Sequence, residues 1–224
     1  MPRLPYTVAV SDQDLVQPSL RDRKRARTRQ ALVDAAIDLF ERDGYERTTI
    51  ADIAAAAEVG SRTFFNYFAS KEELLFPESD ARVQAAVEAI AGRGPQDGPT
   101  DVLLRALRSV GGDGDAGTAG NVGDDMAGGL AELRLRLIRT VPAVRGRALQ
   151  IQLEAQREIA RHLFQAFPET LDEVSAAAVT GAFIGAITAA LQVLLEHSDR
   201  PDDPAEFHRV LRRATDLALA PWSV

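Results

Sequence analysis

Residues 29–76 read RQALVDAAIDLFERDGYERTTIADIAAAAEVGSRTFFNYFASKEELLF, and their pattern decides the fold. Leu32, Ala35, Ala36, Leu39 and Phe40 recur at i, i+3, i+4, i+7 and i+8, the stripe of an amphipathic helix. Gly44 follows, where a helix stops in the left-handed conformation. Thr49, three residues before Asp52, is a helix start signal, because its hydroxyl is placed to cap free N–H groups. Ile50, Ile53, Ala54 and Ala57 then form a second stripe. It is only about two turns long, so it must pack on neighbours to persist. After Glu58-Val59-Gly60, a third helix is predicted over Ser61–Phe68, capped by Ser61, with Phe64 and Phe68 on its buried side. Ser70-Lys71-Glu72-Glu73 has the form of a capping box opening a fourth helix.

Two short helices joined by a tight turn, the second with polar groups facing out, make a helix-turn-helix whose second helix suits the major groove. The outward set is Ser61, Arg62, Thr63, Phe65, Asn66 and Tyr67. Arg62 is suited to guanine or phosphate, Asn66 to adenine, and Phe65 or the Thr63 methyl to a thymine methyl. Tyr67 and Lys71 reach toward phosphates. Upstream, residues 21–29 carry six basic side chains against Asp22. Arg25, Arg27 and Arg29 are read from this run as an arm touching phosphate or entering the minor groove. The competing reading is a solvated, frayed helix start.

The run ALVDAAIDLFERDGYERTTIADIAAAAEVGSRTFFNYFASKEELL, about a fifth of the chain, resembles the N-terminal domain of the tetracycline-repressor (TetR) family of bacterial transcriptional regulators. The order helix, Gly, Thr-Thr, helix, Val, helix, Tyr-Phe and Lys agrees without a gap. The resemblance places Thr49, Ser61, Arg62, Thr63, Phe65, Asn66, Tyr67 and Lys71 at positions that contact DNA in that family, with Tyr67 and Lys71 matching its phosphate contacts best. It also implies a dimer held by the last two long helices and a ligand cavity enclosed by the helices before them. Members often carry a polar or basic residue where this chain has Ala51, and a smaller one where it has Arg62, so a base preference does not carry over.

The 224 residues, 46% hydrophobic, suffice for one large or two small helical domains. No cysteine is present, which excludes a disulfide framework and thiolate metal sites. The net charge of −7 is unevenly spread. Residues 1–20 carry −1, residues 21–75 balance at zero and residues 76–224 carry −6. A local basic edge is enough for phosphate contacts even on an acidic chain. The division that follows is an N-terminal disordered arm (1–20), a DNA-binding domain (21–70) and a helical effector-binding and dimerisation domain (71–224). The last contains a flexible loop over 111–129, which holds eight of the 16 glycines. The fold class is all-α, a three-helix helix-turn-helix domain followed by a helical ligand-binding and dimerisation domain.

In the body, Pro77 should break or kink the fourth helix before the pattern resumes over Ser79–Ala91. A kink there is a lever between head and body. Further helices are predicted over Asp101–Val110, Leu130–Thr140, from Pro142 to Phe167, and Asp202–Ala218 with Phe207, Val210, Leu211 and Leu217 inward. Val174–Leu195 is uncharged for 22 residues. Its alanines and polar Thr180, Thr188 and Gln192 argue for a buried central helix rather than a membrane span, with Gly181 and Gly185 letting another helix approach. Arg134, Arg136 and Arg139 alternate with leucines, either meeting an acidic head group or forming a solvated face. Arg134, Arg136, Phe164 and Phe183 are the candidate effector contacts, and the run RTFFNYF with a kinked fourth helix looks similar to regulators that respond to acyl-CoA.

No catalytic residue, metal site or cofactor is assigned. His162, His197 and His208 have no second ligand at metal spacing, and GAFIGA lacks the strand context of a phosphate loop. The expected partners are double-stranded operator DNA, a small-molecule effector and a second copy of the chain, with no membrane and a cytoplasmic location. The alternative is a helical ligand-binding or scaffold dimer that has lost DNA binding.

Overall fold

The computed structural model of the protein describes residues 19–111, 129–197 and 204–222. The expected arm up to residue 18, the glycine-rich loop from 112 to 128, and the side chains of His197 and Phe207 lie outside the described residues. Among the described residues are nine α-helices, two 3-10 turns and no strand.

The first helix, α1 (Leu20–Arg42), begins earlier than the stripe alone predicts. Ser19 and Asp22 form a reciprocal capping box at its start. The basic run 21–29 is therefore helical, part of α1. The helix ends where Asp43 N–H donates to Leu39 O at 2.9 Å and Gly44 turns to φ 87°. The Thr48 hydroxyl donates to Leu39 O (3.2 Å) and Gly44 O (2.9 Å), sealing the last turn.

The helix α2 (Ile50–Ala56) opens with the expected Thr49–Asp52 box. The third, α3 (Ser61–Phe64), is shorter than predicted. Beyond Phe65 the chain tightens into i to i+3 bonds, Asn66 N–H to Thr63 O (3.0 Å) and Tyr67 N–H to Phe64 O (2.9 Å). Gly60, not Ser61, is its N-cap, and no side chain caps it. Phe64 and Phe68 are buried as the spacing requires. They join Leu32, Phe40, Ile53 and Leu75 in one cluster.

Lys71–Leu75 is not the start of an α-helix. Glu72–Leu75 is a 3-10 turn, and the expected box at Ser70 is absent. Glu73 instead accepts the Ala69 N–H at 2.7 Å. Pro77 explains the change, because it cannot donate to the Glu73 carbonyl, which takes the Phe76 N–H at 3.0 Å instead.

The body comprises α4 (Ser79–Ala91), α5 (Pro99–Gly111), α6 (Gly129–Thr140), α7 (Pro142–Ala166), α8 (Glu173–His197) and α9 (Pro204–Leu219). Its core gathers Ile90, Leu103, Ile159, Leu163, Phe183 and Leu219. The head cluster is not closed on itself. Leu133 and Leu137 of α6 and Val144 of α7 belong to it.

Helix α8 corrects a second expectation. It is long and apolar enough by composition to cross a membrane, yet only 28% of its apolar window is buried in the chain. Phe183, Ala190 and Leu194 are covered, while Val174 (77%) and Val193 (54%) are exposed, as is Leu217 of α9 (70%). Being apolar on every side, its sequence gave no sign of which stripe the chain covers. At Gly181 a Cβ would lie 2.7 Å from the side-chain amide of Gln156 of α7, the movable end of that side chain; Gly185 faces open space.

Glu58 in the turn between α2 and α3 adopts φ 56°, where a side chain is strained. Replacing Glu58 by Gly should raise stability by about 1 kcal/mol, read as a higher urea midpoint at unchanged slope. A lower midpoint would show that the glutamate side chain outweighs the strain.

Candidate nucleic-acid interface and effector cavity

One surface of the head gathers most of the residues expected at DNA. Ser61, Arg62, Phe65 and Asn66 are exposed on α3 and the turn after it, while Thr63 and Tyr67 are half-buried. Phe65 keeps 57% of its surface exposed although its ring meets buried Phe64 edge to face at 5.4 Å. An aromatic held in that way presents a rigid apolar edge. Arg25 of α1 sits 5.8 Å over the Tyr67 ring, which brings the basic run beside the end of α3. Arg27 is exposed on the same helix. The Thr49 hydroxyl is engaged in its cap, donating to Asp52 at 2.6 Å and holding that carboxyl below its usual range.

Two residues expected at phosphates turn inward. The Lys71 ammonium donates to Tyr45 O (2.7 Å) and Thr48 O (2.9 Å) and lies 4.0 Å over the Tyr45 ring. It clamps the loop before α2 to the 3-10 turn. Arg29 donates to Pro77 O at 2.6 Å and stacks 4.9 Å over Phe68. The pattern of charges did not distinguish these two from their outward neighbours.

Beneath Lys71, the Tyr45 hydroxyl donates to Glu72 at 2.5 Å. Burial and this carboxylate push the tyrosine well above its ordinary value. Burial also acts to raise the Glu72 carboxyl. The hydrogen bonds from Tyr45 and Ser70, with the Lys71 charge, outweigh it and leave the group below its usual range.

A cavity of about 310 Å³ lies among α4, α5, α6, α7 and α8, near the small end of ligand sites. Val83, Ile138, Ile151, Ile159, Phe183 and Ile187 make it largely apolar. Its charged lining residues are bonded together. Glu78 Oε2 accepts from Arg82 at 2.9 Å and from Arg134 at 3.4 Å. Arg134 also donates to Leu75 O at 3.2 Å. Of the four expected effector contacts, Arg134 and Phe183 line this cavity. Arg136 is exposed on the outer side of α6 and Phe164 packs into the body core, so neither lines it. Glu78 and Arg82 were missed as cavity residues. Their i, i+4 acid–base spacing directly after Pro77 was the available signal.

Among the described residues no cluster of His, Asp and Glu is arranged to hold a metal ion. His162 Nε2 lies 3.0 Å from the Glu158 carboxylate and 2.8 Å from the Arg161 guanidinium on α7.

An exposed recognition helix joined to a body with a ligand-sized cavity defines the helix-turn-helix class of ligand-binding regulator. The model for bacterial regulatory proteins of the tetR family matches residues 32–76, and the MftR C-terminal domain model matches residues 119–221. The chain belongs to the TetR family of bacterial transcriptional regulators.

The chain is 36% identical over 147 residues to the HTH-type transcriptional regulator TcmR of Streptomyces glaucescens, covering 64% of this chain and 62% of that protein. It is 33% identical over 93 residues to the HTH-type transcriptional repressor LfrR of Mycolicibacterium smegmatis, covering 42% and 48%. It thus spans less than two thirds of the length of either relative. Both relatives are named as regulators, not enzymes. Among solved structures, Thermus thermophilus FadR, a TetR family repressor in complex with lauroyl-CoA, aligns at 22% identity and TM-score 0.49, over 84% of this chain and 93% of that one.

Two predictions follow from the head. Lys71→Met should lower head stability by about 2 kcal/mol, the loss of charge-assisted bonds to two carbonyls. If Lys71 instead served a phosphate, melting would be unchanged and the salt slope of DNA binding would fall by about one. The second concerns pH. Because the Glu72 carboxyl is depressed in the fold, its contribution is present above the unfolded value near 4.5 and is lost as pH falls through the folded value. Acid melting of Glu72→Gln should therefore be less steep than that of the wild type below about pH 4.5.

Proposed function

We propose that the protein is a homodimeric, ligand-responsive DNA-binding regulator of the cytoplasm that acts as a repressor, releasing its operator when a small amphipathic molecule enters the body. The observation that carries this reading is the double role of α6. Leu133 and Leu137 join the head core, where the helix packs against α1, while Ala131, Arg134, Leu135 and Ile138 of the same helix line the cavity. A ligand that shifts α6 would disturb the head core into which Leu133 and Leu137 pack. Linkage then requires that DNA weaken ligand binding by the factor by which ligand weakens DNA binding.

On DNA, Arg62, Phe65 and Asn66 would reach base edges, with Ser61 and Thr63 beside them. Arg25, Arg27 and Tyr67 would meet phosphates, and Thr49 would stand near the backbone at the start of α2. Lys71 and Arg29 would serve by holding the head in shape. The exposed apolar stripe of α8, with Leu217 of α9, supports pairing of the last two long helices with a second copy, since two recognition helices are needed to read two half-sites. An acyl chain would suit the apolar part of the cavity. The nucleotide of an acyl-CoA would have to lie outside so small a space.

Fluorescence anisotropy with the DNA just upstream of the gene, against a scrambled duplex at several salt concentrations, tests the reading. Tight, salt-dependent preference for the upstream duplex is expected. No binding even at low salt would leave a helical ligand-binding dimer instead. Arg62→Ala should weaken specific binding by about 1–3 kcal/mol and relax the preference at one base pair. Val193→Glu with Leu217→Glu should yield a monomer by light scattering, and with it the loss of tight operator binding. A dimer that persists would place the interface elsewhere.

A further inference from the structure

The cavity opens toward the outside of α8. Among the described residues that line it, Thr188 and Gln192 of that helix are the exposed ones. Each is followed in the chain by an exposed apolar residue, Ala189 and Val193. The same holds on α7, where lining Ala148 and Gln152 precede Leu149 (54% exposed) and Leu153 (53% exposed). One residue along a helix is a turn of about 100°, so on both helices the cavity wall and an outward apolar stripe stand side by side. The opening therefore lies within an exposed apolar face.

We infer that a second copy of the chain seats on this face and closes the opening, so that the effector site is complete only in the dimer and a bound effector tightens the dimer. This rests on the reading above of the cavity as the effector site and of the protein as a dimer, and it makes the two one device. Three observations select a second copy as the occupant. The face of α8 belongs to a stretch uncharged for 22 residues, and only 28% of its apolar window is buried by its own chain. The rim on α7 carries exposed charges of both signs, Arg145, Glu154 and Arg157, which a two-fold copy of the same rim can meet with opposite charge. The head is a helix-turn-helix of a family that reads DNA, and two half-sites need two heads. On a single chain the outward edge of a bound ligand stays in water. Covering that edge favours the liganded dimer, and linkage makes the effect reciprocal.

The full-length protein is titrated with phenylnaphthylamine, a neutral probe that fluoresces in apolar sites. The comparison is Val174→Glu with Leu217→Glu, two exposed positions away from the cavity wall. By sedimentation this variant should be a monomer. It should bind the probe about tenfold more weakly, the value of leaving roughly 55 Å² of apolar ligand surface in water. Saturating probe should in turn drive it back toward the dimer. Ala155→Trp, filling the cavity from α7, should abolish the probe signal. The chain has no cysteine, so one introduced thiol reports cover directly. Gln192 at the opening and Gln84 of α4 are both exposed on the single chain. In the wild-type background Gln192→Cys should react with a maleimide several-fold more slowly than Gln84→Cys, and in the monomeric background equally fast. The wild-type half of this comparison needs no dissociation of the dimer, and it decides the matter if the double variant stays dimeric or does not fold.

Equal labelling of the two thiols in the wild-type background, or equal probe affinity in dimer and monomer, would overturn the shared site while leaving the cavity a ligand site. Absence of probe binding to either form, or binding indifferent to Ala155→Trp, would overturn the cavity reading beneath it. Neither result bears on whether the head binds DNA, which the anisotropy measurement decides separately.

Discussion

Helix α6 is required by two environments at once. Leu133 and Leu137 sit in the head core at 1% and 7% exposure, and Val141 and Val144 continue that contact into the next helix. Each such side chain contributes roughly 1.5–3 kcal/mol by leaving water. The head therefore cannot swing away from α6 without re-exposing apolar surface. One residue along, Arg134 turns the other way and becomes cavity wall. Head and body are thus parts of one packed system.

The polar bonds at the junction follow from a single proline. Pro77 interrupts the backbone ladder and leaves carbonyls that no helix N–H reaches. The Leu75 carbonyl takes the Arg134 guanidinium from the body and the Pro77 carbonyl takes Arg29 from α1. Arg147 of α7 adds an ion pair to Glu73 at 2.8 Å. Buried or half-buried carbonyls need donors, and here each donor comes from a different part of the chain. The break that stops the fourth helix thereby ties three helices to the five residues Glu73–Pro77.

The head and the last two helices use apolar surface differently. In the head, short helices that could not stand alone are completed by one another and by α6. In α8, apolar side chains remain on a face that its own chain does not cover. Surface of that kind is uncommon on a protein that works alone.

Much of the head was legible in the sequence because its signals are local. The stripe Leu32 to Phe40, the Gly44 stop and the Thr49–Asp52 cap act over a few residues, and each appears where the spacing puts it. The outward residues of α3 were legible for the same reason: Phe64 and Phe68 fix which side is buried. The start of α1, the shortening of α3 and the 3-10 turn at Glu72 depended on weaker competing signals, among them a Ser19–Asp22 cap and a missing proline N–H.

What sequence by itself determined is the all-helical pattern, the helix-turn-helix and the residues that face out from it, since helix period and capping are properties of neighbouring residues. Only the tertiary structure decided that Lys71 and Arg29 turn inward, that Arg134 rather than Arg136 enters the cavity, and that Glu78 and Arg82 join it. A long cationic side chain reaches either water or a buried carbonyl with equal ease. Which it meets is set by the carbonyl's position in space, and that carbonyl lies 26 residues away for Lys71, 48 for Arg29 and 59 for Arg134.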